Sequence, residues 1–373
     1  MMEQNSRPDE ISVAAPEPAE PPSSEKSGDK PARRAGGIAL RALCLLLETL
    51  LLLAAAVYGL MFVLTKGPSD TAGRLFVRSV RETSAIGFLA GWFYSEDEIQ
   101  GILAVPEDMV FEETDTALIR VGAQKGADGP DAWGLTDKDG DGIIVEPVKG
   151  SGFSGYMMVV LDPSRVIVAA DPGSFGGRGY TVEEFVDRFD AVAGVNGGAF
   201  DDPNGEGNGS SPDGLVIFEG KTYNSGVKQG FAGIDENHIL HVGCRNSAEA
   251  VEAGIQYGTS FGPVLLQNGQ MTDSDTLESG VNPRTAVGQR SDGAFLLLVI
   301  DGRQVISLGA TYLDEAEIML EYGAVNAINM DGGSSSMMWY GDGYVNNCAS
   351  VIGIRPIPTA FVVLKQDGDE RHE

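Results

Sequence analysis

Basic residues are scarce in this chain: 26 lysines and arginines stand against 54 aspartates and glutamates over 373 residues, a formal charge of −28. That balance excludes a nucleic-acid partner, because a phosphate backbone requires a basic face. Histidine is equally scarce. The three present, His238, His241 and His372, are too few for a His-rich metal centre, and on a strand the spacing of the first two sends their rings to opposite faces. Three cysteines exclude a disulfide framework. Cys44 falls in an apolar run, which leaves Cys244 and Cys348, either a pair or two small core residues, with no metal or redox spacing between them.

Glycine, by contrast, is abundant. Its 50 residues are about twice the usual share, which suits a turn-dense, β-rich domain and argues against a helical bundle. The expected fold is α+β, a mixed β-rich sheet domain with a few helices. The length allows one sizeable core with appendages.

Residues 1–37 are rich in Pro, Glu, Ser and Ala and read as a disordered tail. Residues 38–66 contain the 23-residue apolar run Ala42–Leu64, interrupted only by Glu48, long enough for a helix across a bilayer core of about 30 Å. No small-residue cleavage site follows it, so an uncleaved signal anchor is expected, with membrane contact through residues 42–64. Basic residues flank both ends and barely decide the orientation. The short tail in front and the large turn-rich domain behind favour a single-pass protein with its domain outside the cytoplasm. Residues 67–140 read as a juxtamembrane helical region and linker, residues 141–366 as the globular domain, and residues 367–373 as a polar tail.

Just before the domain, Asp137, Asp139 and Asp141 copy the first half of a calcium loop. Its twelfth position is Val148 where a bidentate Glu is needed, so an acidic turn is expected, with weak calcium binding left open. Within the domain, Thr181-x-x-Glu184 and Thr311-x-x-Asp314 are capping boxes that open helices. Each helix runs into an apolar strand and then a glycine loop, at 181–200 and 311–336. The repeat suggests two pseudo-equivalent halves meeting at one site.

Four ordered segments carry the chemistry: Gly194–Phe200 (GVNGGAF), Asn282–Gly288 (NPRTAVG), Val299–Arg303 (VIDGR) and Val325–Tyr340 (VNAINMDGGSSSMMWY). An isolated Asp-Gly-Gly is an ordinary turn. Here the four segments together resemble the "VNGGFF", "PRTAIG", "VDGR" and "N-x-D-G-G-x-S" motifs of the phosphodiester glycosidase family, over about 140 residues. The resemblance implies a glycosidase that cleaves a sugar, such as N-acetylglucosamine, from a phosphodiester outside the cytoplasm, and the apolar run makes this a membrane-anchored member. Ala199 departs from the pattern, where the family usually has an aromatic residue in a pocket wall.

Such a substrate calls for a cation or N–H nest on the phosphate, a carboxylate near the anomeric carbon and polar groups for the sugar hydroxyls. Arg284 is expected to grip the phosphate. Asp331 is the first choice for the carboxylate and Asp301 the second. Asn196 and Asn329 are expected to hold substrate hydroxyls or orient a water. Gly197, Gly198, Gly332 and Gly333 would supply N–H groups and clearance, and Ser334 and Ser335 phosphate or loop-capping hydroxyls. No cofactor is required and no catalytic metal is expected, since the motifs contain no histidine. The substrate is expected to be glycan or sugar-phosphate material of the cell envelope or an exopolysaccharide. The alternative is a non-catalytic polysaccharide-binding or exopolysaccharide assembly protein on the same fold. Oligomeric state, and inversion against retention, stay open.

Overall fold

The structure, a computed structural model, describes residues 30–81, 86–103, 112–122, 129–201, 207–209, 211–224, 230–243, 246–274, 276–350 and 353–366. The expected tails at 1–37 and 367–373 lie wholly or largely outside these residues, as does Cys244; Cys348 is a free cysteine. Two compact units divide the chain, Met1–Met61 and Phe62–Glu373. Helix α1 (Lys30–Lys66) starts inside the stretch expected to be tail. It carries a segment, Leu40–Lys66, that is long and apolar enough to cross a membrane, and the leucines of that segment are exposed.

The second unit continues with α2 (Asp70–Arg81), a 3-10 turn at Gly87–Trp92 and α3 (Glu96–Leu103). These bury Val77, Val80, Ala90 and Ile99 against one another. Residues 112–122 and 129–142 then lie along the sheets. The Arg120 N–H donates to the Ser291 carbonyl at 2.9 Å, and the fully buried Arg290 pairs with Asp131 at 2.7 Å beneath the Trp133 ring.

The sheets begin with β1 (Ile143–Gly150), β2 (Phe153–Val160) and β3 (Val166–Ala170), followed by α4 (Val182–Arg188) and β4 (Ala191–Asn196). Next come β5 (Phe200–Asp201), β6 (Ser211–Pro212), β7 (Val216–Phe218), β8 (Lys221–Asn224), β9 (Phe231–Asp235) and β10 (Leu240–Gly243). After α5 (Ser247–Glu252) follow β11 (Ile255–Ser260), β12 (Val264–Gln267), β13 (Gln270–Met271), β14 (Arg284–Arg290) and β15 (Phe295–Ile300). The chain closes with α6 (Tyr312–Glu321), β16 (Ala324–Met330), β17 (Met338–Tyr340), β18 (Gly343–Tyr344) and β19 (Thr359–Leu364).

Among the described residues these strands form a seven-stranded sheet, β1-β2-β15-β14-β16-β12-β13, and two five-stranded sheets, β10-β9-β11-β7-β8 and β18-β17-β4-β19-β3, with β5 and β6 as a separate pair. The fold is α+β and rich in sheet, as expected. Strand β15 shows why the sheets stack. Its run FLLLVI has no polar face: Phe295, Leu297 and Val299 enter the core shared by the three large sheets, while Leu296, Leu298 and Ile300 face the layer that includes Ala316 and Met319 of α6. On the other side, Val182, Phe185 and Val186 of α4 pack on Ala360 and Val362 of β19.

Both helices start at the capping boxes read from the sequence. Thr181 accepts from the Glu184 N–H and Thr311 from the Asp314 N–H, each with the reciprocal carboxylate bond. Each helix then feeds a buried strand, β4 or β16, that ends in a glycine loop. The two loops meet: the Asp331 N–H donates to the Gly197 carbonyl at 3.1 Å.

Close packing at this meeting point gives a testable consequence. A Cβ on Gly198 would lie 2.2 Å from Thr259 Oγ1 and 2.4 Å from the Ser260 carbonyl oxygen, whereas one on Gly91 meets nothing within 4 Å. Gly198→Ala is expected to destabilise the protein by roughly 1–3 kcal/mol in urea unfolding and Gly91→Ala to change it little; equal effects would contradict this packing.

Candidate active site

A cavity of about 220 Å³ opens where the strand ends converge, lined by Phe261, Asn282, Arg284, Arg303, Tyr312, Asp331, Gly332 and Gly333. Asp331 follows directly on the last residue of β16, and Arg284 opens β14. Strand register brings them together, since β14 lies beside β16 with Thr285 opposite Met330. Three of the four sequence segments thus contribute to the lining.

The fourth segment lies beneath the cavity. Asn196 is fully buried, and its amide nitrogen donates to the Asp331 carbonyl at 2.6 Å. Its Oδ1 accepts from Thr285 Oγ1 at 2.8 Å and from the Met337 N–H at 3.2 Å. One side chain therefore ties both ends of the 331–337 loop to β14. Gly197 and Gly198 are equally committed, donating to the Thr359 carbonyl and to Thr359 Oγ1, each at 3.0 Å.

Asn329 is also buried, with its amide nitrogen on the Gly262 carbonyl at 2.7 Å, which fixes the backbone next to Phe261; its Oδ1 has no hydrogen-bond partner among the described residues. Gly333 takes φ +66, and its N–H donates to the Pro283 carbonyl at 2.9 Å. Ser334 Oγ accepts from Arg355 Nη1 at 2.9 Å.

Arg284 is buried with its guanidinium 4.1 Å above the Tyr312 ring. Its Nε donates to the Ala310 carbonyl at 3.1 Å and its Nη2 to the Gly280 carbonyl at 2.6 Å. Asp301 is not in the cavity lining. Its Oδ1 accepts from Asn346 Nδ2 and from the Asn347 N–H, both at 3.0 Å, and so anchors the turn after β18. Of the lining residues, Asp331 is the one carboxylate.

The cavity leaves Asp331 partly exposed, yet protein atoms crowd it on its remaining sides. Burial pushes its carboxyl up to about 6, against the opposing pull of Ser335, Arg355, the Gly332 N–H and Arg303. Ser335 Oγ is buried without a well-formed hydrogen bond, yet lies close enough to favour the ionised carboxylate. Arg303 and Arg355 were not among the residues singled out from the sequence. Arg303 packs over Gly333, where a Cβ would be 3.3 Å from both terminal guanidinium nitrogens, and donates to Asn282 Oδ1 at 3.1 Å. It closes the third segment, so the signal for it was present; Arg355 lies outside all four.

A larger cavity of about 690 Å³ is lined by Glu112, Glu113, Asp235, His241, Glu249 and Glu252 among others. None of the four segments reaches it, and its carboxylates would repel a phosphate. Separately, oxygens of Asp137, Asp139 and Asp141 lie within 4.8 Å of one another, a group that could hold a metal ion.

The sequence of residues 189–364 matches the phosphodiester glycosidase family. Residues 189–364 belong to a phosphodiester glycosidase domain, whose sheets also take in β1, β2 and β3. The chain is 28% identical over 231 residues to human N-acetylglucosamine-1-phosphodiester alpha-N-acetylglucosaminidase, covering 56% of this chain and 43% of that protein. It is 28% identical over 166 residues to the SPbeta prophage-derived uncharacterized protein YomE of Bacillus subtilis, covering 41% of this chain and 26% of that one. The chain thus spans less than half the length of these curated relatives. The zebrafish N-acetylglucosamine-1-phosphodiester alpha-N-acetylglucosaminidase catalytic domain shares the fold at a TM-score of 0.50 and 20% identity, over 60% of this chain and 82% of that structure.

The raised Asp331 carboxyl has a consequence for stability. The folded value, about 6, lies above the ordinary 3.8, so the fold favours the protonated form and loses stability as pH rises between those values. Asp331→Asn imitates the neutral form. It is expected to stabilise the protein by roughly 1–3 kcal/mol above pH 7 and to make little difference below pH 4; destabilisation at pH 7.5 would contradict this.

Proposed function

We propose that this phosphodiester glycosidase domain hydrolyses a sugar-1-phosphodiester, such as an N-acetylglucosamine-1-phosphate diester, in cell-envelope or exopolysaccharide material. The observation that carries the proposal is one desolvated carboxylate, Asp331, with two guanidinium groups, Arg303 and Arg355, acting on it. A sugar fits a cavity below the roughly 300 Å³ at which drug-sized pockets begin. Phe261 and Tyr312 offer it apolar walls, and Asn282 a polar one.

In this assignment Asp331 acts at the anomeric carbon, as nucleophile or as base for water. The C1–oxygen bond breaks with its electron pair going to the phosphate oxygen, and water supplies the new C1 hydroxyl and releases a proton. A phosphate monoester leaves readily, so one carboxylate suffices. Arg303, which lines the cavity, holds the phosphate and favours its departure as an anion, while Arg355, bound to Ser334 behind the lining, adds positive potential beside Asp331. With two of its donors on backbone carbonyls, Arg284 adds positive potential and supports the Tyr312 wall rather than offering a full fork. Asp301, Asn196, Asn329, Gly197 and Gly198 act as supports for the loops, while Gly332, Gly333 and the Ser334–Ser335 pair shape the floor.

The chain is assigned to the cell membrane through α1, with the domain outside the cytoplasm. The Asp137, Asp139 and Asp141 group offers only oxygen ligands, which suits calcium. Burial beside Asp141 raises the Asp139 carboxyl, a penalty that a bound cation would relieve. Any such ion would brace the start of β1 and take no part in the chemistry.

Full-length protein given a synthetic N-acetylglucosamine-1-phosphodiester is expected to release the free sugar, with kcat/KM rising through an apparent pKa near 6 as Asp331 ionises. Asp331→Asn should lower kcat by about 10³-fold or more while staying folded, and Arg303→Ala should raise KM by about tenfold. Full activity in a folded Asp331→Asn variant would remove the assignment.

A further inference from the structure

Helix α2 follows the apolar helix in the chain after a short turn, and its sequence marks it only as juxtamembrane. Its contacts say more. Arg74 Nε donates to Glu278 Oε1 at 2.8 Å, its Nη2 pairs with Oε2, and Arg78 lies 3.6 Å from the same carboxylate. Two residues on, the backbone of Gly280 rests directly on α2, where a Cβ would be 2.4 Å from Ser79 Cα. The Val281 N–H donates to Ser79 Oγ at 3.1 Å.

The opposite side of this short segment holds the cavity. The Gly280 carbonyl accepts from Arg284 Nη2 at 2.6 Å, and Ser279 Oγ accepts from the Tyr312 N–H at 2.8 Å. Arg284 and Tyr312 stack on each other, and both line the cavity. Residues Glu278–Val281 are thus clamped between α2 and two cavity residues that lie far from α2 in sequence.

We propose that α2 is a working part of the site: Arg74 and Ser79 are positioning residues that set the placement of Arg284 and Tyr312 through the Glu278–Val281 segment. This rests on the reading of the cavity as the substrate site. The wall that carries the Arg284 charge is then built jointly by the sheets and by the helix that follows the apolar segment in the chain. Loss of the clamp frees the Gly280 carbonyl and the Ser279 hydroxyl to move, and Arg284 and Tyr312 lose their register together. Substrate capture suffers before the bond-breaking step, because Asp331 is held from the other side by Asn196 and Gly197.

The test uses full-length protein in detergent or nanodiscs, with Ser79→Ala, Arg74→Glu, and Arg74→Glu combined with Glu278→Arg. Amide exchange is read at Asn282 and Tyr312, since the Val281 amide would respond to the lost acceptor alone. Ser79→Ala and Arg74→Glu are expected to speed exchange at those amides about tenfold, leaving β15 unchanged, with the charge-swapped pair restored towards the parent. With the phosphodiester substrate, KM should rise about five- to tenfold while kcat stays within about twofold. Unchanged exchange at Asn282 and Tyr312 in both single variants would overturn the proposal, as would a uniform rise across the domain that the swap does not rescue. If the parent protein hydrolyses no phosphodiester, the functional assignment fails and the exchange result alone decides whether α2 sets this wall.

Discussion

A single buried amide carries much of this architecture. Asn196 ends β4 in one sheet and reaches the loop that follows β16 in another, where it satisfies the Asp331 carbonyl and the Met337 N–H and takes a bond from Thr285. Buried backbone groups without partners cost about 1–3 kcal/mol each, so a loop of glycines and serines at the junction of two sheets needs such a tie. With Gly197 accepting from the Asp331 N–H, the backbone of the carboxylate residue is held on both its polar groups. The site exists because two strand ends that belong to different sheets are stitched at that point.

The same stitching explains the electrostatics. A carboxylate on an open turn would titrate in the ordinary range, but one fixed at a desolvated floor rises to about 6 despite two arginines that favour its ionised form. The arrangement costs stability near neutral pH, where the fold must hold an ionised Asp331. The family match points to the reaction class; the local geometry favours one carboxylate over the other to serve it.

Much of the fold was legible in the residues. The capping boxes at Thr181 and Thr311 place both helix starts, and the apolar run Phe295–Ile300 signals a strand buried on two faces. The glycine loops announce the site, because Asp331-Gly-Gly-Ser334 follows a buried strand without a break. What the sequence hid was which polar atoms face inward. Asn196 and Asn329 look like ligand-binding amides, yet their amide nitrogens are occupied by backbone carbonyls of segments distant in sequence. Arg284 looks like a phosphate fork, but its donors reach Ala310 and Gly280. Arg355 carried no local signal, since its place beside Ser334 depends on the path of the chain before β19. The attachment of α2 and of residues 112–142 to the sheets was hidden for the same reason: single hydrogen bonds and ion pairs across long separations leave no periodicity to read.

The central claim is that the bond broken lies between the anomeric carbon and oxygen, at Asp331. Hydrolysis of a sugar-1-phosphodiester in oxygen-18 water measures this directly. The account predicts label in the C1 hydroxyl of the released sugar and none in the phosphate; label in the phosphate would place the attack at phosphorus and contradict it.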